Sequence, residues 1–232
     1  MAKFIFMLTL NDATVEDAID VYAQVRDLGL AYVGFKDVGL PFNRLRALAE
    51  AIHGGGQRVM LEVVSECRED ELRSAQAALD LGVDYLMGGT HADEVTRLIA
   101  GSSIRYFPFP GTVVGHPSLL RGTIQEIADS ARRLGTLAGV HGLDLLAYRY
   151  DGDVEALVAA VVAAAGVPVI VAGSVSTAVQ IRRLAELRVW GFTVGTAIFE
   201  RQFAPGDPSL RAQVRAVSEA SRAASSTRGE TL

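Results

Sequence analysis

Lysine is nearly absent from this 232-residue chain: Lys3 and Lys36 are its only two among 22 basic residues. Arginine serves wherever a plain cation suffices, so Lys36 marks a place where an amine is wanted. An amine can lose its proton when desolvated and can condense with a carbonyl, and a guanidinium does neither readily. Cysteine is scarcer still. With Cys67 alone, a disulfide framework within the chain and a thiolate zinc site are both excluded. No spacing of histidines and carboxylates suggests another metal motif, so no metal and no cofactor is expected. Excess positive charge is missing as well. The formal net charge of -5 argues against nucleic acid as a partner. No apolar stretch approaches a membrane span without a glycine or charge break. The run Phe4-Ile5-Phe6-Met7-Leu8 is too short for a signal sequence and reads as a strand. A reducing cytoplasm is the expected location.

Hydrophobic residues make up half the chain, enough for a large single core. They recur as short β-rich runs, each followed by a turn and an amphipathic helical segment. Strands are predicted over residues 3–10, 31–36, 58–64, 83–87, 104–107, 143–148, 167–172 and 191–194. The spacing predicts helices between them, with Asn11-Asp12-Ala13-Thr14 supplying caps for the first and Gly54-Gly55-Gly56 stopping the second. The loop from Pro108 to Gly122 is longer than the others. After Ser218 the chain turns small and polar and is expected to fray, which leaves residues 1–217 as the folded domain.

Eight strand–helix units close a parallel (β/α)8 barrel, a TIM barrel, commonly about 250 residues long. Fully apolar runs such as Val167-Pro168-Val169-Ile170-Val171-Ala172 suit strands buried on both faces. A doubly wound open sheet would more often place its glycine-rich loop after the first strand. Here the glycines follow strands seven and eight.

Those two segments carry the strongest functional signal. Val171-Ala172-Gly173-Ser174-Val175 and Thr193-Val194-Gly195-Thr196-Ala197 each end a strand in a glycine and a small hydroxyl residue before a helix start. Glycine lets backbone N–H groups approach an anion, and a helix start adds aligned donors. From Gly166 to Phe199 the chain resembles the phosphate-binding barrel superfamily. That group includes the histidine-biosynthesis isomerases, the tryptophan-pathway barrels and N-acetylmannosamine-6-phosphate 2-epimerase. The resemblance implies that Gly173, Ser174, Gly195 and Thr196 contact a phosphate. The epimerases end strand seven in a functional glutamate, where this chain has Ala172.

Catalytic groups of such a barrel sit at the C-terminal ends of strands. Lys36 ends the second strand. Glu62 lies inside the apolar third, where a carboxylate needs a partner or a task. The two strands are neighbours, so the side chains are expected to face each other and to offer acid–base chemistry or a desolvated nucleophilic amine. His91, after Gly88-Gly89-Thr90, is a further acid–base candidate. Asn11, His116 in the long loop and Arg149 at the end of strand six are candidate substrate contacts. Asp12-Ala13-Thr14-Val15-Glu16-Asp17-Ala18 and Val33-Gly34-Phe35-Lys36-Asp37 also resemble the opening of the archaeal-type furan phosphate synthases. That resemblance implies a reactive lysine at Lys36, although the later lysines of those enzymes are missing.

The expected protein is thus an enzyme acting on a small phosphorylated sugar or keto acid, either an aldolase-type lyase using a Schiff base or an isomerase or epimerase. A barrel that binds a phosphorylated ligand without turnover, and one that binds a flavin phosphate, are the alternatives. Barrels commonly pair, so a homodimer is the oligomer the fold class suggests.

Overall fold

The computed structural model describes residues 2–65 and 67–226. Eight strands form one sheet: β1 (Lys3–Met7), β2 (Tyr32–Lys36), β3 (Arg58–Val63), β4 (Tyr85–Gly88), β5 (Arg105–Phe107), β6 (Leu143–Leu145), β7 (Val169–Val171) and β8 (Gly191–Val194). Every laddered pair is parallel, and β1 lies between β8 and β2. The ring closes between β5 and β6 through a parallel bridge of Tyr106 with Val140, and through Asp144 N donating to Pro108 O at 3.0 Å. This is the (β/α)8 barrel that the strand count predicts.

Alternation along the strands divides the core in two. Phe4, Phe6 and Leu8 face the surrounding helices, whereas Ile5 and Met7 point into the barrel with Met60, Met87, Phe107 and Ile170. Tyr32, Tyr85 and Trp190 close the N-terminal end as an aromatic plug, with Trp190 centroids 5.4 Å from Tyr32 and 5.8 Å from Phe107. Lys3 Nζ stands 4.5 Å from the centre of the Trp190 ring. One lysine therefore serves the floor of the barrel by a cation–π contact, and the other is left for the mouth.

The helices are α1 (Ala18–Val25), α2 (Phe42–Gly54), α3 (Arg68–Leu81), α4 (Ala92–Leu98), α5 (Ile124–Gly135), α6 (Val154–Ala165), α7 (Ala178–Glu186), the short α8 (Thr196–Phe199) and α9 (Leu210–Ser226). Their boundaries follow local chemistry. Thr123 and Glu126 form a capping box on α5, Asp153 caps α6, and Gly82 ends α3 in the left-handed conformation.

Four departures from the sequence reading go beyond a residue or two at an element's end, and three of them shape the mouth. The first strand stops at Met7, and residues 9–14 fold back as a hairpin of Thr9–Leu10 against Ala13–Thr14. Asn11 and Asp12 form its turn at φ 50 and 66, so they are not the caps of α1. Strand six ends at Leu145 and gives way to a 3-10 turn over Ala147–Arg149. The long loop carries a hairpin of its own, Thr112–Val114 with Leu119–Arg121. Finally, α9 runs past Ser218 to Ser226, because Val214, Val217, Ser221 and Ala224 continue a buried stripe at helical spacing. The remainder of the stretch expected to fray, residues 227–232, lies outside the described residues.

Candidate active site

At the C-terminal end of the barrel is a cavity of about 510 Å³, within the usual range for a small-molecule site. One wall comes from the ends of β1, β2 and β3 and from the first hairpin. The opposite wall comes from the loops after β7 and β8 and the 3-10 turn. Pro117 and Leu119 of the long-loop hairpin cover part of the opening.

Lys36 and Glu62 are register partners on β2 and β3, so both project to the same side of the sheet. Lys36 Nζ lies 3.3 Å from Glu62 Oε1 and 2.7 Å from Asp12 Oδ1. All three are buried. The turn that carries Asp12 is pinned to β2, because Thr14 Oγ1 donates to Lys36 O and accepts from Lys36 N at 2.8 and 2.9 Å. Arg149 reaches the same carboxylate from the other side. Its NH2 donates to Asp12 Oδ1 at 2.7 Å and its NH1 to Oδ2, while Ser118 N donates to Oδ2 at 3.2 Å. Asp12 thus joins β2, the 3-10 turn and the long-loop hairpin.

The electrostatics correct one expectation. Burial alone would lower the Lys36 ammonium, but the Glu62 and Asp12 carboxylates outweigh it and hold the group above its ordinary range. The resting side chain is a charged ammonium, and a desolvated neutral amine is not what this surrounding produces. Burial likewise works to raise the Asp12 carboxyl, yet the bonds from Arg149 and Lys36 keep it well below the usual carboxylate range. Tyr148, also in the lining, is pushed up to about 12 by burial and stays a phenol donor.

On the opposite wall, Gly173 and Ser174 both adopt left-handed backbone, at φ 77 and 61. Among the described residues, the amides of Gly173, Ser174 and Val175 have no acceptor. The start of α7 is different. Gln180 Oε1 accepts from Ser176 N and Thr177 N at 2.8 and 3.0 Å, so those helix-start donors are already taken. At the start of α8, in the loop after β8, the amides of Thr196 and Ala197 likewise have no acceptor among the described residues. Gly195 has a packing reason of its own: a Cβ there would lie 2.5 Å from Thr9 Oγ1 and 3.1 Å from Met7 O. Thr196 Oγ1 accepts from Asn11 N at 3.3 Å, which ties the β8 loop to the first hairpin.

His91 is not brought to this cavity. It sits beyond β4, where Glu71 of α3 accepts from Thr90 N and His91 N at 2.9 Å and pairs with His91 Nδ1 at 2.7 Å. Glu71 is 1% exposed, so it fastens the β4 loop to α3. Glu71→Ala is expected to cost about 1–2 kcal/mol, since it removes three hydrogen bonds to part-buried groups that water can partly replace; thermal denaturation checks this. His116 is exposed at the turn of the long-loop hairpin, and its neighbour Pro117 is the residue that lines the cavity.

Sequence reasoning missed Asp12 and Asp144. Asp12 was read as a helix cap. Asp144, on β6, carried the same signal as Glu62: an acid inside an apolar run, here Gly142-Leu143-Asp144-Leu145-Leu146.

No family model and no curated protein matches the chain. Among solved structures it is similar to tryptophan synthase from M. tuberculosis in its open form, with a TM-score of 0.67 and 16% identity over 95% of this chain and 93% of that one. It is also similar to orotidine 5'-phosphate decarboxylase from Pyrococcus horikoshii OT3, with a TM-score of 0.67 and 11% identity over 94% and 99%. For N-acetylmannosamine-6-phosphate 2-epimerase from Clostridium perfringens the values are 0.61 and 12% over 84% and 86%. At such identities the likeness establishes the barrel fold.

Proposed function

We propose that this protein is an enzyme of small phosphorylated metabolites that moves a proton at a carbon beside a carbonyl, as an isomerase or epimerase does. The observation that carries the reading is the placement of one buried ammonium, paired with Glu62 and Asp12, across a cavity from three loop amides without acceptors. The amides of Gly173, Ser174 and Val175 hold the phosphate, with Gly195 and Thr196 forming the adjoining wall. Two of the similar structures are named for phosphorylated substrates, orotidine 5'-phosphate and N-acetylmannosamine 6-phosphate, which supports the same ligand class.

In the step itself, Glu62 takes the proton from the carbon as the Lys36 ammonium gives one to the carbonyl oxygen. The products are a bound enediol, a neutral amine and a protonated Glu62. Return of the proton from Glu62 to either carbon, as an enediol hydroxyl gives its proton back to the Lys36 amine and becomes the carbonyl, completes the exchange and restores both groups. Asp12 and Arg149 keep Lys36 in place, and their two charges cancel. A lyase reading, with an imine on Lys36, is favoured by the position of the lysine but requires the ammonium to lose its proton first.

Incubation with a panel of sugar phosphates and phosphorylated keto acids in D2O separates the readings. Deuterium entering the ligand at carbon is the expected result. A covalent adduct on Lys36 after borohydride would favour the lyase. Binding with neither outcome would leave a non-catalytic barrel.

A further inference from the structure

Asp144 is completely buried, and neither carboxyl oxygen has a hydrogen-bond partner. Its strand neighbours Leu143 and Leu145 pack outward against the helices, and its register partner Ile170 belongs to the barrel interior. Alternation therefore points Asp144 at the barrel axis, toward the interior apolar cluster that includes Ile5, Met60, Met87 and Phe107. Among the described residues no cation pairs with it. A carboxylate stripped of water without such a partner takes up a proton instead.

The groups that reach it electrostatically are Glu62 from β3, Lys36 from β2 and Arg149 from the 3-10 turn. We propose that Asp144, buried at the barrel axis without a hydrogen-bond partner, carries a proton at rest and so adds no charge beneath Glu62, the base of the site. Asp144 is then a positioning residue: it acts on substrate through Glu62 and does not touch it. The inference rests on the reading of Glu62 as the base. With Asp144 neutral, the two cations Lys36 and Arg149 balance the two anions Asp12 and Glu62. An ionised Asp144 would add a negative charge beneath a cavity meant for an anion. Burial first, and the Glu62 charge second, push the Asp144 carboxyl well above the ordinary range for aspartate.

Infrared spectroscopy of the protein in D2O tests this without any substrate, so its outcome is independent of the turnover assay. A carbonyl band of a protonated acid should be present at neutral pH and absent from Asp144→Asn, which is nearly isosteric. Carbon-13 labelling of aspartate should shift the same band, which identifies it even if that variant folds poorly. In Glu62→Gln the band should disappear at lower pH than in the parent, since the neighbouring negative charge is gone. Absence of the band at neutral pH, or a titration unmoved by Glu62→Gln, would overturn the proton on Asp144 and its coupling to Glu62.

Discussion

Lys36→Met should lose about 3–5 kcal/mol of folding stability at neutral pH, and proton exchange with it, because removing one partner of a buried ion pair strands the other. Here two carboxylates are affected. Glu62 would lose its one ion-pair partner among the described residues and keep only the longer-range field of Arg149, while Asp12 would keep its direct bonds to Arg149. The pH dependence follows from the shifts. The Lys36 ammonium is raised above its ordinary 10.5, so its contribution is present below that value and is lost as pH rises through the folded-state value. The Asp12 carboxyl is depressed below its ordinary 3.8, so its contribution is present above that value and is lost as pH falls through the lower folded-state value. The stability gap between parent and variant is therefore widest from about pH 4 to about pH 10 and narrows on either side. Denaturant titrations across that range measure it. Lys36→Arg keeps the charge, and its stability should fall less. Its exchange rate should still drop roughly 100- to 10,000-fold, the usual contribution of a positioned acid, because a guanidinium does not yield its proton. Exchange that persists in Lys36→Arg would assign the proton donor elsewhere.

The second large effect is on binding. Gly173→Ala asks a side chain to sit at φ 77 and sets a Cβ 2.8 Å from Arg149 Cγ. The left-handed backbone costs about 1–2 kcal/mol. The larger consequence is that the loop shifts and its amides no longer converge. Losing one hydrogen bond to a charged ligand costs about 1.5–3 kcal/mol, roughly a 10- to 100-fold weaker phosphate affinity. Calorimetric titration with inorganic phosphate reads the affinity, and melting without ligand reads the backbone cost separately. Unchanged affinity in a folded Gly173→Ala would remove the β7 loop from the phosphate site.

The sequence was most informative where local and global signals agreed. Val33-Gly34-Phe35-Lys36 and Met60-Leu61-Glu62 are strands by composition, and neighbouring barrel strands pair in parallel, so the meeting of Lys36 and Glu62 could be read from order alone. Asp12 was harder to place. An Asn-Asp pair after a strand caps a helix as readily as it turns a hairpin, and only the fold of Ala13–Thr14 back onto Thr9–Leu10 decides between them. That turn brings Asp12 between two cations from distant parts of the chain, a contact that no spacing reveals. Asp144 was obscured because residues 143–148 read as one long strand with Tyr148 and Arg149 at its tip. The strand ends three residues earlier, and the acid is its middle residue. The hairpin over the cavity has arms of three residues each, too short for alternation to show. At α7 the pattern was incomplete: Gln180 takes the amides of Ser176 and Thr177 just before the helix, a capping contact that the glycine and hydroxyl pattern does not show.

A crystal of the protein grown with inorganic phosphate bears most directly on the whole account. Phosphate is predicted within hydrogen-bond reach of the Gly173, Ser174 and Val175 amides, on the side of the cavity facing Lys36, with the Lys36–Asp12 and Lys36–Glu62 pairs intact. An anion bound only at the outer surface, with those amides turned away from an empty mouth, would contradict it.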